Sequence, residues 1–211
     1  MDLAKAACLQ EELAARLILR WRGGPPRRVA GADFAYDSED RKVAAVIIVM
    51  DLPGFETVDV AEAVDPVQAA YVPGFLFLRE GPVFVAACRR LRHDPDITLI
   101  DGNGIAHPRH LGLASHVGVL LDIPTIGCAK TPFFPFRAPA LRRGACTPYR
   151  DGSGRRVGFC LRTRDDVKPV FVSPGHRVSL AAARTIVLAC SRFRIPEPLR
   201  EAHRLSRGLL A

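Results

Sequence analysis

Apolar positions change period several times along the chain, and each change predicts an element. From residue 3 to 22 they recur at helical spacing (Leu3, Ala7, Leu13, Leu17, Ile18, Trp21). That pattern predicts an amphipathic helix ending at Gly23-Gly24-Pro25-Pro26. Three strand-like segments follow: Val29–Tyr36 with Asp33 in its middle, the unbroken apolar run Val43–Met50, and the alternating stretch Phe55–Val64. Their short links predict an antiparallel meander.

The second half alternates differently. Asp65 to Gly74 reads as a loop, and a helix is expected over Leu78–Leu91 with Glu80 in its first turn. Ile97–Asp101 reads as a buried strand running into Gly102-Asn103-Gly104, followed by a helix near Leu111–Asp122 and a strand at Thr125–Cys128. Alternating strand and helix implies parallel pairing. Residues 132–155, rich in Pro, Gly and Arg, are expected to be loop-dominated. Strands are expected at Val157–Arg162 and Val170–Val172, then a loop Ser173-Pro174-Gly175-His176, a helix over Leu180–Ser191 and a last helix from Pro196 or just after it. The expected class is α/β, a mixed sheet of three antiparallel strands followed by parallel strands, flanked by helices. This order matches a ribonuclease H-like fold, although periodicity alone does not single that fold out.

Composition narrows the class. With 211 residues and 48% apolar side chains, the chain suits one domain with a full core. The longest apolar run is far shorter than the ~20 residues a membrane helix needs. The N-terminus carries Asp2, Glu11 and Glu12 and no secretory signal core. The six cysteines form no C-x-x-C pair, so free thiols in a reducing, cytoplasmic setting are expected. Net charge is +8 but uneven: residues 137–211 carry 16 basic and 5 acidic side chains, residues 1–136 carry 14 and 17. A basic region beside a more acidic one suits a polyanion substrate and a metal site. GC-rich codon usage would account for the arginines equally well, so charge suggests nucleic acid without establishing it.

Three acids stand at places where charge is costly. Asp33 lies inside an apolar strand, Asp101 at the end of another, and Glu80 opens a helix. Any one alone reads as an ion-pair partner or a cap. Together they could converge on Mg²⁺, a hard ion bound by a few carboxylates, water and phosphate. His107, His110, His116 and His176 are the candidate histidines. Asp101 to Arg109 places an acid, an imidazole and a guanidinium in one loop after a strand, and His176 follows Gly175 in a second loop.

These segments resemble, in order, the motifs of the endonuclease V family. They are Gly31-Ala32-Asp33-Phe34-Ala35-Tyr36, Tyr71 to Pro82, Asp101-Gly102-Asn103-Gly104-Ile105-Ala106-His107-Pro108-Arg109, Ala114 to Gly118, Gly127 to Lys130, and Ser173 to Arg177; Arg194 to His203 resembles the closing segment. The resemblance covers most of residues 29–206. It implies hydrolysis of the second phosphodiester bond 3′ to an inosine, leaving 3′-hydroxyl and 5′-phosphate ends, in repair of deaminated adenine. It further implies one domain over 1–211, with an N-terminal helix in 1–25 and a catalytic core in 26–206.

By that resemblance Asp33, Glu80 and Asp101 would bind the metal and His176 would complete the active site. Lys130 would steady phosphate charge, and His107, Arg109 and His116 would lie near the substrate phosphate or support the site. The loop Ala70-Tyr71-Val72-Pro73 would act as a wedge, its tyrosine stacking into the gap left by a flipped base, and backbone groups near Gly74 and the Asp101–Ile105 loop could read the base edge. The family's bacterial wedge often begins with Pro where this chain has Ala70. One Mg²⁺ or two would serve, and Mn²⁺ would substitute. Arg-rich residues 137–207 would hold the flanking backbone, with binding that weakens as salt rises. The expected partner is DNA containing deoxyinosine, bound by a monomer; RNA-directed inosine cleavage stays open. So do another ribonuclease H-like nuclease acting on junctions or flaps, and a non-catalytic nucleic-acid module.

Overall fold

A computed structural model of the chain describes residues 2–210. It opens with α1 (Leu3–Ala14), whose N-cap Asp2 carboxylate accepts from the Ala4 N–H at 2.9 Å. The helix expected over 3–22, and assigned to 1–25, thus ends at Ala14. Beyond it the chain leaves the helix because its apolar side chains serve separate surfaces. Leu17 and Leu19 pack beside Tyr149 and Phe171, while Trp21 packs in the cluster around Val178 and Ile186. The Ile18 N–H donates to His176 Nδ1 at 3.3 Å.

The meander follows as β1 (Arg28–Tyr36), β2 (Lys42–Asp51) and β3 (Glu56–Pro66). Next come α2 (Phe77–Cys88), β4 (Ile97–Ile100), α3 (Leu113–Leu121) and β5 (Thr125–Ala129). The last part comprises β6 (Cys146–Arg150), β7 (Arg156–Leu161), β8 (Val170–His176), α4 (Leu180–Ala189) and α5 (Glu197–Leu209). All eight strands form one sheet in the order β3-β2-β1-β4-β5-β8-β7-β6. β1, β4 and β5 run parallel, and the other neighbours pair antiparallel. The fold is the ribonuclease H-like mixed sheet flanked by helices.

Two expectations change. β6 lies within the region read as loop and contains Pro148; as the edge strand it loses little by lacking one donor. Ser173 to His176, read as loop, are the end of β8. β7 pairs with β8 only as far as Val172, so this end has β5 alone as sheet neighbour. The missing donor of Pro174 therefore costs nothing on the β7 side. Its carbonyl accepts from the Ile105 N–H at 2.8 Å, tying β8 to the loop after β4.

Both faces of the sheet are covered, which is why β2 reads as an unbroken apolar run. Val43, Ala45, Ile47 and Val49 pack with Phe77, Val83, Phe84 and Val117 on the α2 and α3 side. Ile48 and Met50 face α5 through Ala202. Complete burial of a side chain such as Ile47 contributes roughly 1.5–3 kcal/mol. Gly31 is required by close approach. A Cβ there would stand 2.2 Å from the Pro198 carbonyl carbon, so the start of α5 lies directly on β1. This contact brings α5 alongside Asp33.

Candidate active site

Asp33, Glu80, Asp101 and Lys130 line one cavity of about 670 Å³, together with Tyr71, Pro73, Gly74 and His107. Each element delivers its side chain by a separate route. Asp33 lies on β1 and Asp101 directly after β4, which pairs parallel to β1; the Asp101 N–H donates to the Ala32 carbonyl at 3.1 Å. Lys130 follows β5, the next parallel strand. Glu80 comes from the first turn of α2.

Each acid has its own setting. Asp33 is buried, and its Oδ2 accepts from Ser206 Oγ at 2.7 Å and lies 3.1 Å from His203 Nδ1, both on α5. Asp101 pairs with Lys130, Nζ to Oδ2 at 2.5 Å, and lies against the Asp33 carboxyl. Glu80 Oε1 accepts from the Tyr36 hydroxyl at 2.9 Å, while Glu80 Oε2 is buried with no hydrogen-bond partner. Burial pushes the Glu80 carboxyl up to about 8; the Tyr36 hydrogen bond opposes this, and Asp101 and Asp33 add to it. Asp101 is raised as well, chiefly by burial and further by Asp33, with Lys130 pulling it down.

The donor set fits a hard divalent cation: three carboxylates share a cavity, and one offers a buried oxygen without a proton donor. Among the described residues, however, no three His, Cys, Asp or Glu side chains close around a common point tightly enough to enclose an ion. The expected convergence is present as a shared cavity, not as a finished coordination shell. The Lys130 ammonium on Asp101 supplies part of the compensating charge.

The other expected residues divide. His107 is at the cavity as a neutral ring: its Nδ1 accepts from the Arg109 N–H at 3.2 Å, so Nε2 carries the hydrogen that goes to the Gly74 carbonyl at 3.1 Å. Burial, with Arg109 adding, lowers its pKa to about 4. Arg109 reaches the same carbonyl through Nη2 at 2.8 Å. Tyr71 is 63% exposed at the rim, and Val72 beside it does not line the cavity. His116 is behind the wall, stacked on Phe77 at 4.1 Å between ring centroids.

His176 is a correction. It is buried away from the carboxylates, with Nδ1 on the Ile18 N–H and Nε2 3.0 Å from Asp122 Oδ1. Its place in β8 directs it to the N-terminal segment. The imidazole that does reach the cluster is His203, one turn from Ser206 on α5; the closing segment contained it, but no spacing argument linked it to Asp33. Gln10, Asn103 and Phe133 also line the cavity unforeseen. Gln10 did carry a signal, as a polar residue between Ala6 and Leu13 on the buried stripe of α1. The basic region is partly structural: buried Arg162 donates to the carbonyls of Pro139 and Ala140, and Arg194 to those of Lys130 and Lys168.

Comparison with known proteins finds relatives along nearly the whole chain. The Endonuclease V family profile matches residues 11–204. An endonuclease V of Roseiflexus sp. (strain RS-1) is 46% identical over 207 residues, 97% of this chain and 92% of its own. The crystal structure of endonuclease V from Streptomyces avermitilis superposes with a TM-score of 0.94 at 46% identity, covering 99% of this chain and 93% of that one. The Ciona intestinalis enzyme, crystallised with a 24mer DNA containing an inosine followed by a ribo-adenosine, gives a TM-score of 0.87 at 27% identity, covering 99% and 97%.

Proposed function

Because the chain belongs to the endonuclease V family and is a nuclease, we propose that it hydrolyses the second phosphodiester bond 3′ to deoxyinosine in DNA. The products carry 3′-hydroxyl and 5′-phosphate ends, and the reaction serves repair of deaminated adenine. The Ciona intestinalis complex, with its inosine-containing DNA, supports this choice of substrate. The observation that carries the reading is the meeting of Asp33, Glu80 and Asp101 in one cavity beside the exposed Tyr71 ring.

Asp33, Glu80 and Asp101 would hold Mg²⁺, with Mn²⁺ as a substitute. When bound, such an ion supplies an activated water and neutralises charge on the scissile phosphate. The chain's own groups do the rest. Ser206 and His203 fix the orientation of Asp33. Tyr36 occupies one Glu80 oxygen and leaves the other free. Lys130 opposes the upward push of burial on Asp101 and adds positive charge where the phosphate and the departing 3′-oxygen gather negative charge. Tyr71 stacks into the space the flipped base leaves, which keeps the duplex open. We assign the activity to a single domain spanning the described chain, acting as a monomer. Six free cysteines suit a reducing compartment such as the cytoplasm.

The test is Asp101→Ala, offered a duplex with one deoxyinosine and Mg²⁺. Cleavage should fall by at least about a hundredfold, the scale of losing a group that stabilises the transition state. Undiminished cutting by this variant removes the assignment. Equal cutting of an inosine-free junction or flap by the unaltered protein transfers it to a structure-specific nuclease.

A further inference from the structure

We infer that Gln10 is a positioning residue for the Tyr71 loop: its side-chain amide, with Arg109 and His107, clasps the Gly74 carbonyl and sets where the tyrosine ring stands. This rests on the wedge reading above and goes beyond it by naming what anchors the wedge.

Gln10 sits on α1, 64 residues before the loop, and is 1% exposed. Its neighbours on the same stripe, Ala6 and Leu13, are apolar and buried, so packing alone would be served by an aliphatic residue. A buried amide is costly unless its bonds are made. Here all are made. Nε2 donates to the Gly74 and Leu111 carbonyls, each at 3.1 Å, and Oε1 accepts from Arg109 Nε at 2.6 Å. Only one amide orientation works, since the reverse would set oxygen against two carbonyls.

Three donors converge on one backbone oxygen: Gln10 Nε2, His107 Nε2 and Arg109 Nη2, at 3.1, 3.1 and 2.8 Å. They do so at the residue where the loop turns, since Gly74 has φ +82°. A Cβ there would stand 3.1 Å from Arg109 Nη2 and 3.4 Å from His107 Nε2. Arg109 also lies 4.2 Å over the Phe75 ring. The loop is thus gripped at residues 74 and 75, just behind the exposed Tyr71. A ring that displaces a stacked base needs such a fixed base of its own, and α1 and the loop after β4 supply it from outside the loop.

Strand separation is needed only when the inosine is paired, which gives the test its selectivity. Single-turnover cleavage is measured with Mg²⁺ on a deoxyinosine duplex and on the same strand unpaired. The comparison uses the unaltered protein, Gln10→Met and Tyr71→Ala. Met keeps the length and apolar body of Gln and removes all three of its hydrogen bonds. The duplex-to-single-strand rate ratio should fall about tenfold in both variants, the scale of losing one or two net hydrogen bonds. A normal ratio in Gln10→Met beside a lowered one in Tyr71→Ala overturns the clasp and spares the wedge. An equal loss on both substrates in Gln10→Met also overturns it, since that marks a general structural role. An unchanged ratio in Tyr71→Ala overturns the wedge and the clasp with it. If Gln10→Met does not fold by thermal melting, Gly74→Ala disturbs the same carbonyl from the loop side. It must then lower the ratio, and a normal ratio is refuting.

Discussion

Lowering the pH from neutral should cost this protein stability through one buried histidine. His116 is 7% exposed, lies on the Phe77 ring, and has a buried Nδ1 without a partner. Protonation would place a charge there with nothing to solvate it, and burial accordingly lowers its pKa to about 4. The unfolded chain titrates this group near 6.5. The sign follows: below pH 6.5 the unfolded state takes up a proton that the folded state refuses. Stability from this group is full above pH 6.5, falls as pH drops from there towards 4, and levels below 4. Linkage over that window gives about 2.5 kcal/mol lost by pH 4.5. Urea unfolding of the unaltered protein and of His116→Leu at pH 7.5 and pH 4.5 isolates the group. The variant's stability at pH 7.5 is only the reference, and the difference in pH slope is the readout. The unaltered protein should lose about 2.5 kcal/mol more than the variant between the two pH values. Identical slopes would refute the reasoning, because they would mean His116 is hydrated or partnered in the folded state.

Further outcomes follow from the cavity. Glu80, raised to about 8, holds a proton below that pH, and an incoming cation must displace it. The Mg²⁺ concentration for half-maximal cleavage should therefore rise as pH falls from 8 to 7, by up to about tenfold, measured by metal titration at each pH; a flat dependence would count against Glu80 as a ligand. His203→Ala releases Asp33 from one of its two α5 contacts and should lower cleavage about tenfold or more. His176→Ala breaks the contacts to Ile18 and Asp122 instead, so it should lower the melting temperature while cleavage changes far less. Paired melting and single-turnover measurements separate the two histidines, and the opposite ranking in cleavage would restore His176 to the site.

Where sequence reading succeeded, one local pattern was tied to one surface. The unbroken run of β2 reflects burial on both faces, and the alternation of Glu56–Pro66 reflects burial on one. Where it failed, one stretch answered to several surfaces. Leu17 and Trp21 have helical spacing but pack in different clusters, Leu17 beside Leu19 against Tyr149 and Phe171. Ser173-Pro174-Gly175 has loop composition, yet it can close β8 because β7 stops short of it.

The sequence by itself singled out the three acids that share the cavity and the order of elements that holds them. An Asp in an apolar strand and an Asp at a strand end are costly choices that local propensity does not explain, whereas the Glu in a helix's first turn is ordinary by itself and stands out only beside them. Only the tertiary structure decided their company. Asp33 meets His203 and Ser206 across 170 and 173 residues, and Gln10 meets Arg109 across 99. Such pairings arise from where helices land on the sheet, as at Gly31 under Pro198. A contact formed by packing at long range leaves no periodic trace in either segment, which is why His176 could be taken for His203.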